Sequence, residues 1–272
     1  MRISRVLLGA SLAAVLAVPA TVISASAQVS AQAPAAAGVR YVALGDSYSS
    51  GDGAGSYGSS GSCDRSANAY PQQWANANAP ASFAFVACSG ATTSDVINSQ
   101  VSSLSASTTL VSITIGGNDV GFSTVMATCV LAPTSTCESA VKAADALVAG
   151  VLPTELNSVL QTIRHDAPAA KIVVLDYPEL YDLSRSSGCI GLSTADRTAL
   201  NQGADQLDSA ISAAAARNGD TFADIRSQFA GHEICDSGSW LHSVTWPLGE
   251  SYHPYASGQE LGYLPRFSAA AG

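Results

Sequence analysis

The 272-residue chain carries 12 basic and 21 acidic residues, a formal net charge of −9, and only two lysines, Lys142 and Lys171. Such a surface is not built to bind nucleic acid or anionic membranes by charge. At this length, one α/β domain with a large core is expected once the first segment is set aside.

That first segment reads as an address rather than as structure. Arg2 and Arg5 are followed by an apolar stretch from Val6 to Val22 and by the small-x-small string Ala25-Ser26-Ala27. This is the pattern of a secretory signal peptide, residues 1–27. No stop-transfer pattern follows, so stable membrane insertion is not expected. Removing it takes away two cations and leaves 10 basic against 21 acidic residues, a charge of −11. Residues 28–38, made of Ala, Gln, Pro and Ser with a few small or apolar neighbours, are expected to be a disordered lead-in, and residues 39–272 a single domain. The expected mature protein is secreted, extracellular and monomeric.

Strands and helices are then expected in alternation. Val39–Leu44 is the first predicted strand and ends at Gly45-Asp46-Ser47. A Gly/Ser-rich loop runs from Gly51 to Gly61, and Cys63 at its end is placed to pin it. Ser82–Ala87, Leu110–Ile115 and Lys171–Asp176 are the second, third and fourth strands, with Thr221–Ile225 a weaker fifth. Their β-branched and aromatic content suits buried parallel strands. The clearest 3.6-residue period runs from Glu138 to His165, where Pro153 predicts a kink or a split. A second helix is predicted over Ser193–Arg217, capped by Ser193 or Thr194 and stopped near Gly219. The alternation implies a parallel sheet covered on both faces, with no internal repeat and no second domain.

The chain has six cysteines: Cys63, Cys88, Cys129, Cys137, Cys189 and Cys235. An even count behind a signal peptide predicts three disulfides formed in an oxidising compartment. Fifteen connectivities are open to six cysteines. The sequential one, Cys63–Cys88, Cys129–Cys137 and Cys189–Cys235, closes the shortest loops and is the one expected. No CxxC pair exists, so no metal site is expected there.

In an open parallel sheet, ligands bind beyond the carboxyl ends of the strands. Gly45-Asp46-Ser47 follows the first strand, Cys88-Ser89-Gly90-Ala91-Thr92 the second, and Gly116-Gly117-Asn118-Asp119 the third. Together they offer a hydroxyl, a glycine amide and a side-chain amide, the parts a serine hydrolase needs for attack and oxyanion binding. The base candidate is His253, in the string "GESYHPYASGQ" before a predicted final helix. Among the other histidines, His165 ends a helix, His242 suits a packed loop, and His232 in "GHEICD" fails the HExxH zinc pattern because Asp236 stands in the fifth position. Each block alone also has an ordinary reading as turn chemistry or a satisfied structural histidine. Their order along the chain, each behind a strand or near the terminus, is what raises them above it. Gly53-Ala-Gly55-Ser-Tyr-Gly58 spells GxGxxG, but several residues past its strand and with no lysine nearby, so a nucleotide site is not expected.

These blocks resemble those of the SGNH-hydrolase superfamily of GDSL-type esterases and lipases. "GDSYSSG" is similar to the nucleophile block, with Tyr48 where leucine is usual. Gly90 in "ACSGATTSDV" matches the glycine block, Asn118 in "IGGNDVGF" the asparagine block and His253 the histidine block. The similarity spans roughly residues 41–267. The six cysteines and the strings "FAGHEIC" and "WLHSV" resemble its secreted, three-disulfide branch from actinomycetes. The resemblance implies a flavodoxin-like three-layer α/β/α sandwich with five parallel strands, and a serine esterase or lipase working through an acyl-enzyme without cofactor or metal. It implies Ser47 as nucleophile, His253 as general base, and an oxyanion hole made of the Ser47 and Gly90 amides and the Asn118 side chain. Where the family often has an aspartate three residues before the histidine, this chain has Glu250. The imidazole is then oriented either by Glu250 or by the main-chain carbonyl of Ser251, the second being preferred. The implied partner is a small-molecule or lipid ester. Phe122, Val125 and Met126 are candidates to line an acyl groove, or else the buried face of a helix; Trp240, Trp246 and Tyr252 either shape a pocket or simply pack. Phospholipase A1 activity and a catalytically inactive secreted binding protein on the same fold are the alternatives.

Overall fold

The computed structural model describes residues 38–185, 189 and 191–272. The expected signal peptide and nearly all of the expected lead-in lie outside the described residues.

Five short strands form one parallel sheet: β1 Arg40–Gly45, β2 Ser82–Phe85, β3 Leu110–Thr114, β4 Lys171–Leu175 and β5 Thr221–Ala223. Their order is β2-β1-β3-β4-β5, with parallel pairing throughout. The middle strands β1, β3 and β4 are apolar at nearly every position and buried on both faces, as a parallel sheet between helices requires. The order reverses direction between β1 and β3. That switch point opens a crevice beyond the carboxyl ends of those two strands.

The helices are α1 Ser47–Ser50, α2 Tyr70–Asn78, α3 Thr93–Asp95, α4 Phe122–Leu131, α5 Thr134–Gly150, α6 Leu152–Asp166, α7 Thr194–Asn218, α8 Arg226–Phe229 and α9 Leu264–Ala271. Helices α2 and α9 pack together against one face of the sheet. There Tyr41 of β1 stacks on Phe83 and Phe267 and meets Trp74 edge-on, with ring centroids 5.0–5.4 Å apart. Helices α5, α6 and α7 pack against one another in a second layer. The period from Glu138 to His165 therefore belongs to two helices rather than one. The break falls at Val151, and Pro153 sits in the first turn of α6, where a missing N–H costs nothing. The long α7 starts at a capping box between Ser193 and Asp196 and ends on the left-handed Gly219.

The structure holds the three disulfides Cys63–Cys88, Cys129–Cys137 and Cys189–Cys235. The first ties the Gly/Ser-rich loop to the segment after β2. The GxGxxG string lies in that loop and leads into no α-helix among the described residues before α2.

Candidate active site

The site begins with a glycine that only glycine can be. Gly45 closes β1 at φ +120°, and a Cβ there would stand 2.4 Å from the Thr114 carbonyl oxygen and 2.9 Å from Ser49 Oγ. This close approach lets the chain turn straight from β1 into the single turn of α1. Asp46 caps that turn, its Oδ1 accepting from the Tyr48 N–H at 3.0 Å and from Thr114 Oγ1 at 2.7 Å. The Tyr177 hydroxyl donates to Asp46 Oδ2. Burial pushes the Asp46 carboxyl up to about 6, against the three hydrogen bonds that hold it down.

Ser47 is therefore the first residue of α1, and its amide has no intrahelical acceptor. Two buried glutamines fix the surrounding main chain. Gln100 accepts from the Gly45 N–H at 2.8 Å and donates to its carbonyl at 2.9 Å. Gln259 accepts from the Tyr70 N–H and donates to the Tyr48 carbonyl, both at 3.0 Å. The Ser49 hydroxyl, joined to Thr114 and Tyr70, ties the same turn to β3.

His253 reaches Ser47 from the far end of the chain, Nε2 to Oγ 2.7 Å. It sits at the base of a loop, Leu241–Pro254, closed by His242 N–H to His253 carbonyl at 3.0 Å and Tyr252 N–H to His242 carbonyl at 3.1 Å. The Tyr48 hydroxyl donates to the Tyr252 carbonyl at 2.7 Å, which locks this loop to the Ser47 turn. Gly53 packs against the base of the His253 side chain: a Cβ there would lie 2.8 Å from His253 Cβ.

The two candidates for orienting the imidazole have different surroundings. Glu250 Oε1 accepts from the Tyr57 hydroxyl at 2.9 Å, and Tyr57 in turn accepts from the Gly53 N–H at 2.8 Å. Glu250 thus clasps the Gly/Ser-rich loop to the histidine loop. The acceptors beside the imidazole are the main-chain carbonyls of Gly249 and Ser251. His253 Nδ1 is buried, and none of its contacts reaches hydrogen-bond geometry. Burial lowers the His253 pKa; the Asp52 carboxylate and the two carbonyls oppose this, while His242 adds to it. Asp52 is itself buried, its amide on the Ser47 carbonyl at 3.0 Å and its Oδ2 accepting from Ser89 Oγ at 2.8 Å.

Asn118 faces the same cleft from the loop after β3. One of its Nδ2 hydrogens is spent on the Ala91 carbonyl at 3.0 Å, which leaves the other free to donate. That bond also anchors the Gly90-Ala91 segment, where Gly90 is exposed in the left-handed region at φ +81°. Asp119 holds the segment's helix end, accepting from Thr93 N–H and Oγ1. Tyr177 accepts from the Gly117 N–H at 3.2 Å while donating to Asp46, so one phenol joins the serine turn to the asparagine loop.

Ser47 and Asn118 open onto a narrow apolar cleft of about 80 Å³. Phe122, Val125, Val148, Tyr177, Leu200 and Leu207 are among its walls. Phe122 and Val125 thus line it as expected, whereas Met126 is turned into the core, one step round α4. Of the aromatics, Tyr252 is buried and Trp240 stacks flat on His232 at 3.7 Å. His242 Nε2 pairs with the Gly53 carbonyl at 2.8 Å, and His165 with Asp166 at 2.9 Å. Among the described residues, no cluster of three or more His, Cys, Asp or Glu is arranged to hold a metal ion.

Comparison with known proteins agrees with this geometry. The model of the GDSL-like lipase/acylhydrolase family matches residues 43–261. The chain belongs to that family. It is 51% identical to Lipase 1 of Streptomyces coelicolor over 259 residues, 94% of this chain and 95% of the other. It is 48% identical to a lipase of Streptomyces rimosus over 272 residues, 99% of this chain and all of the other. A crystal structure of phospholipase A1 from Streptomyces albidoflavus superposes with a TM-score of 0.83 at 54% identity, covering 87% of this chain and 100% of that one. The crystal structure of the extracellular Streptomyces rimosus lipase gives the same TM-score at 49% identity, covering 85% and 99%. The chain is an α/β ester hydrolase of the lipase/esterase type.

Asp46, Asp52, Tyr177, Gln100 and Gln259 were not singled out by the sequence motifs. Tyr177 was within reach, because it stands two residues after β4, where the rule that located the other loops also applies. Asp46 carried the signature of a helix cap. The two glutamines carry no local signal.

Proposed function

We propose that the protein is a secreted serine hydrolase that cleaves carboxylic acyl esters, with Ser47 as nucleophile and His253 as general base. The observation that carries this reading is the 2.7 Å contact between His253 Nε2 and Ser47 Oγ at the mouth of an apolar cleft. As Ser47 Oγ attacks the acyl carbonyl, His253 Nε2 takes its proton. The oxyanion is met by the amides of Ser47 and Gly90 and the free Nδ2 hydrogen of Asn118. Collapse of the adduct expels the alcohol, protonated by His253, and leaves an acyl-serine. Water, deprotonated by the same imidazole, then releases the acid. The acyl chain occupies the cleft beside Phe122 and Val125.

The imidazolium formed at each step is held by neutral carbonyls, Ser251 and Gly249, and by the buried charge of Asp52. Secretion is supported by the leader-like residues 1–27, the three disulfides and the relative described as an extracellular lipase. Among the described residues, no helix is long and apolar enough to cross a membrane. A second reading, in which the ester is a phospholipid acyl chain, is favoured by the 54% identical structure named phospholipase A1.

Hydrolysis of p-nitrophenyl esters from acetyl to palmitoyl tests the reading. The wild type should be active and Ser47→Ala should lose about 10⁴-fold or more in kcat. Equal rates for the two proteins would overturn it. Release of the first acyl chain from dioleoylphosphatidylcholine decides between the two substrate readings.

A further inference from the structure

The loop that carries His253 at its base bears at its tip large apolar side chains that, among the described residues, nothing covers. Trp246 is 83% exposed, Leu248 63% and Val244 51%. Across a shallow hollow lies the end of α4, where Leu131 is 85% exposed and Val130 also faces outward. Val130 and Val244 line that hollow together with Tyr181 and Tyr252 and with the polar Thr134, Ser193, Ser243 and buried Asp196, so the two segments form one rim whose outward-facing large side chains are apolar. Helix α4 joins the rim to the cleft, since Phe122 and Val125 at its other end line the acyl cleft.

Charge narrows the choice of occupant. No Asp, Glu, Lys or Arg occurs from Val120 to Cys137 or from Ser237 to Gly249, in a chain with a net charge of −9. The rim offers no cation to an anionic headgroup and no charge to keep it in water. An exposed tryptophan among leucines and valines is what a lipid–water interface accepts: a polar N–H at the headgroups and an apolar body below.

We propose that Trp246, Leu248 and Val244, with Leu131 and Val130, form a docking rim that seats the enzyme on the surface of aggregated, electrically neutral ester lipid. The proposal rests on the ester-hydrolase reading of the Ser47 site and extends it. Docking sets the mouth of the acyl cleft against the lipid, so that a chain passes from one apolar phase to the other without crossing water. The enzyme lies on the surface and does not span it.

The protein carries its own reporter. It has three tryptophans; Trp74 is buried and Trp240 is stacked on His232, so a change of emission on binding reports Trp246. The test mixes wild type with unilamellar vesicles of diether phosphatidylcholine, whose ether-linked chains the enzyme cannot hydrolyse. Tryptophan emission should shift to the blue and the protein should co-sediment. Leu131→Ser/Trp246→Ser should partition at least tenfold less and hydrolyse emulsified triester correspondingly more slowly, while its kcat/KM on monomeric p-nitrophenyl acetate stays within about twofold. Absence of partitioning by wild type, equal partitioning by the variant, or partitioning only with anionic lipid would each overturn the proposal. A wild-type dimer that the double substitution converts to monomer would overturn it too, by showing that a second copy covers the rim. If wild type binds vesicles but fails on p-nitrophenyl acetate, the ester-hydrolase reading falls and the docking rim stands.

Discussion

The two halves of the serine–histidine pair are held by opposite means. Ser47 stands at the end of a central strand, and its turn is gripped by Asp46, Ser49, Thr114, Gln100 and Gln259, all buried. His253 stands at the base of a surface loop, fixed by two backbone bonds, the Tyr48 hydroxyl and the Glu250–Tyr57 clasp. The main-chain carbonyls of Gly249 and Ser251 lie beside its imidazole, while Glu250 is engaged by Tyr57. The difference teaches where precision is needed and where compliance is tolerated. The nucleophile and its oxyanion donors must be set before substrate arrives, because preorganised dipoles cost no reorganisation at the moment of reaction. The base only has to reach one atom, and its loop is left free to carry an apolar tip outward.

The largest effect beyond loss of Ser47 itself should come from the rigid half. Asn118→Ala removes the proposed side-chain oxyanion donor and also frees the Ala91 carbonyl that anchors Gly90. It should cost about 10²–10³-fold in kcat, roughly 3–4 kcal/mol of barrier. KM for a short p-nitrophenyl ester should change little, because the donor acts on the transition state. Wild-type kcat in this variant would remove Asn118 from the oxyanion hole.

The compliant half is probed by Asp52→Asn. Asp52 raises the His253 pKa against burial and the neighbouring His242. Its neutral replacement should lower kcat by about tenfold, close to 1.4 kcal/mol, by withdrawing a charge that stabilises the imidazolium. The sign of the pH effect is fixed. His253 must be neutral to act as base, and without Asp52 it stays neutral to lower pH. The acid limb of kcat/KM should therefore move to lower pH, and in both proteins it should lie below the usual histidine value of ~6.5. Asp46, titrating at about 6, contributes to the same limb but should do so equally in both. A limb that moves to higher pH would contradict the assigned role.

The smallest effect sharpens the contrast most. Glu250→Gln keeps an acceptor for Tyr57 and removes only the charge. Activity should stay within about threefold of wild type. A serine enzyme whose imidazole depends on a carboxylate loses about 10⁴-fold on the corresponding amide change, so a loss of that size would make Glu250 the orienting group.

Much of this was readable in the sequence for a physical reason. Buried parallel strands are continuous apolar runs, and the chemistry of an α/β fold lies in the loops directly after them. Gly45-Asp46-Ser47, Gly90 and Gly116-Gly117-Asn118 all stand there. Strand ends shifted by one or two residues, because pairing with neighbours rather than apolarity decides where a strand stops. The helix over 138–165 was legible in its period and in the presence of a break, but not in whether that break is a kink or a split, since Pro153 fits the start of a new helix as well as the kink of an old one. Phe122, Val125 and Met126 stayed open between groove and buried helix face, and the structure divides them; one step of helical phase separates a lining residue from a core residue, and sequence alone does not set that phase. Gln100 and Gln259 were illegible because each acts across many residues on the main chain of another element. Glu250 and the Ser251 carbonyl stayed open for the same reason: the contact of Tyr57 with the carboxylate joins residues far apart in the chain.

The most direct test of the account is covalent trapping. A p-nitrophenyl alkylphosphonate, incubated with wild type and with His253→Ala, is followed by released p-nitrophenol, residual activity and peptide mapping. The account predicts one equivalent of p-nitrophenol per chain, inactivation in step with it, a single adduct on Ser47, and labelling slowed by orders of magnitude in His253→Ala. Complete inactivation with Ser47 unmodified, or equal labelling of the two proteins, would contradict the Ser47–His253 pair.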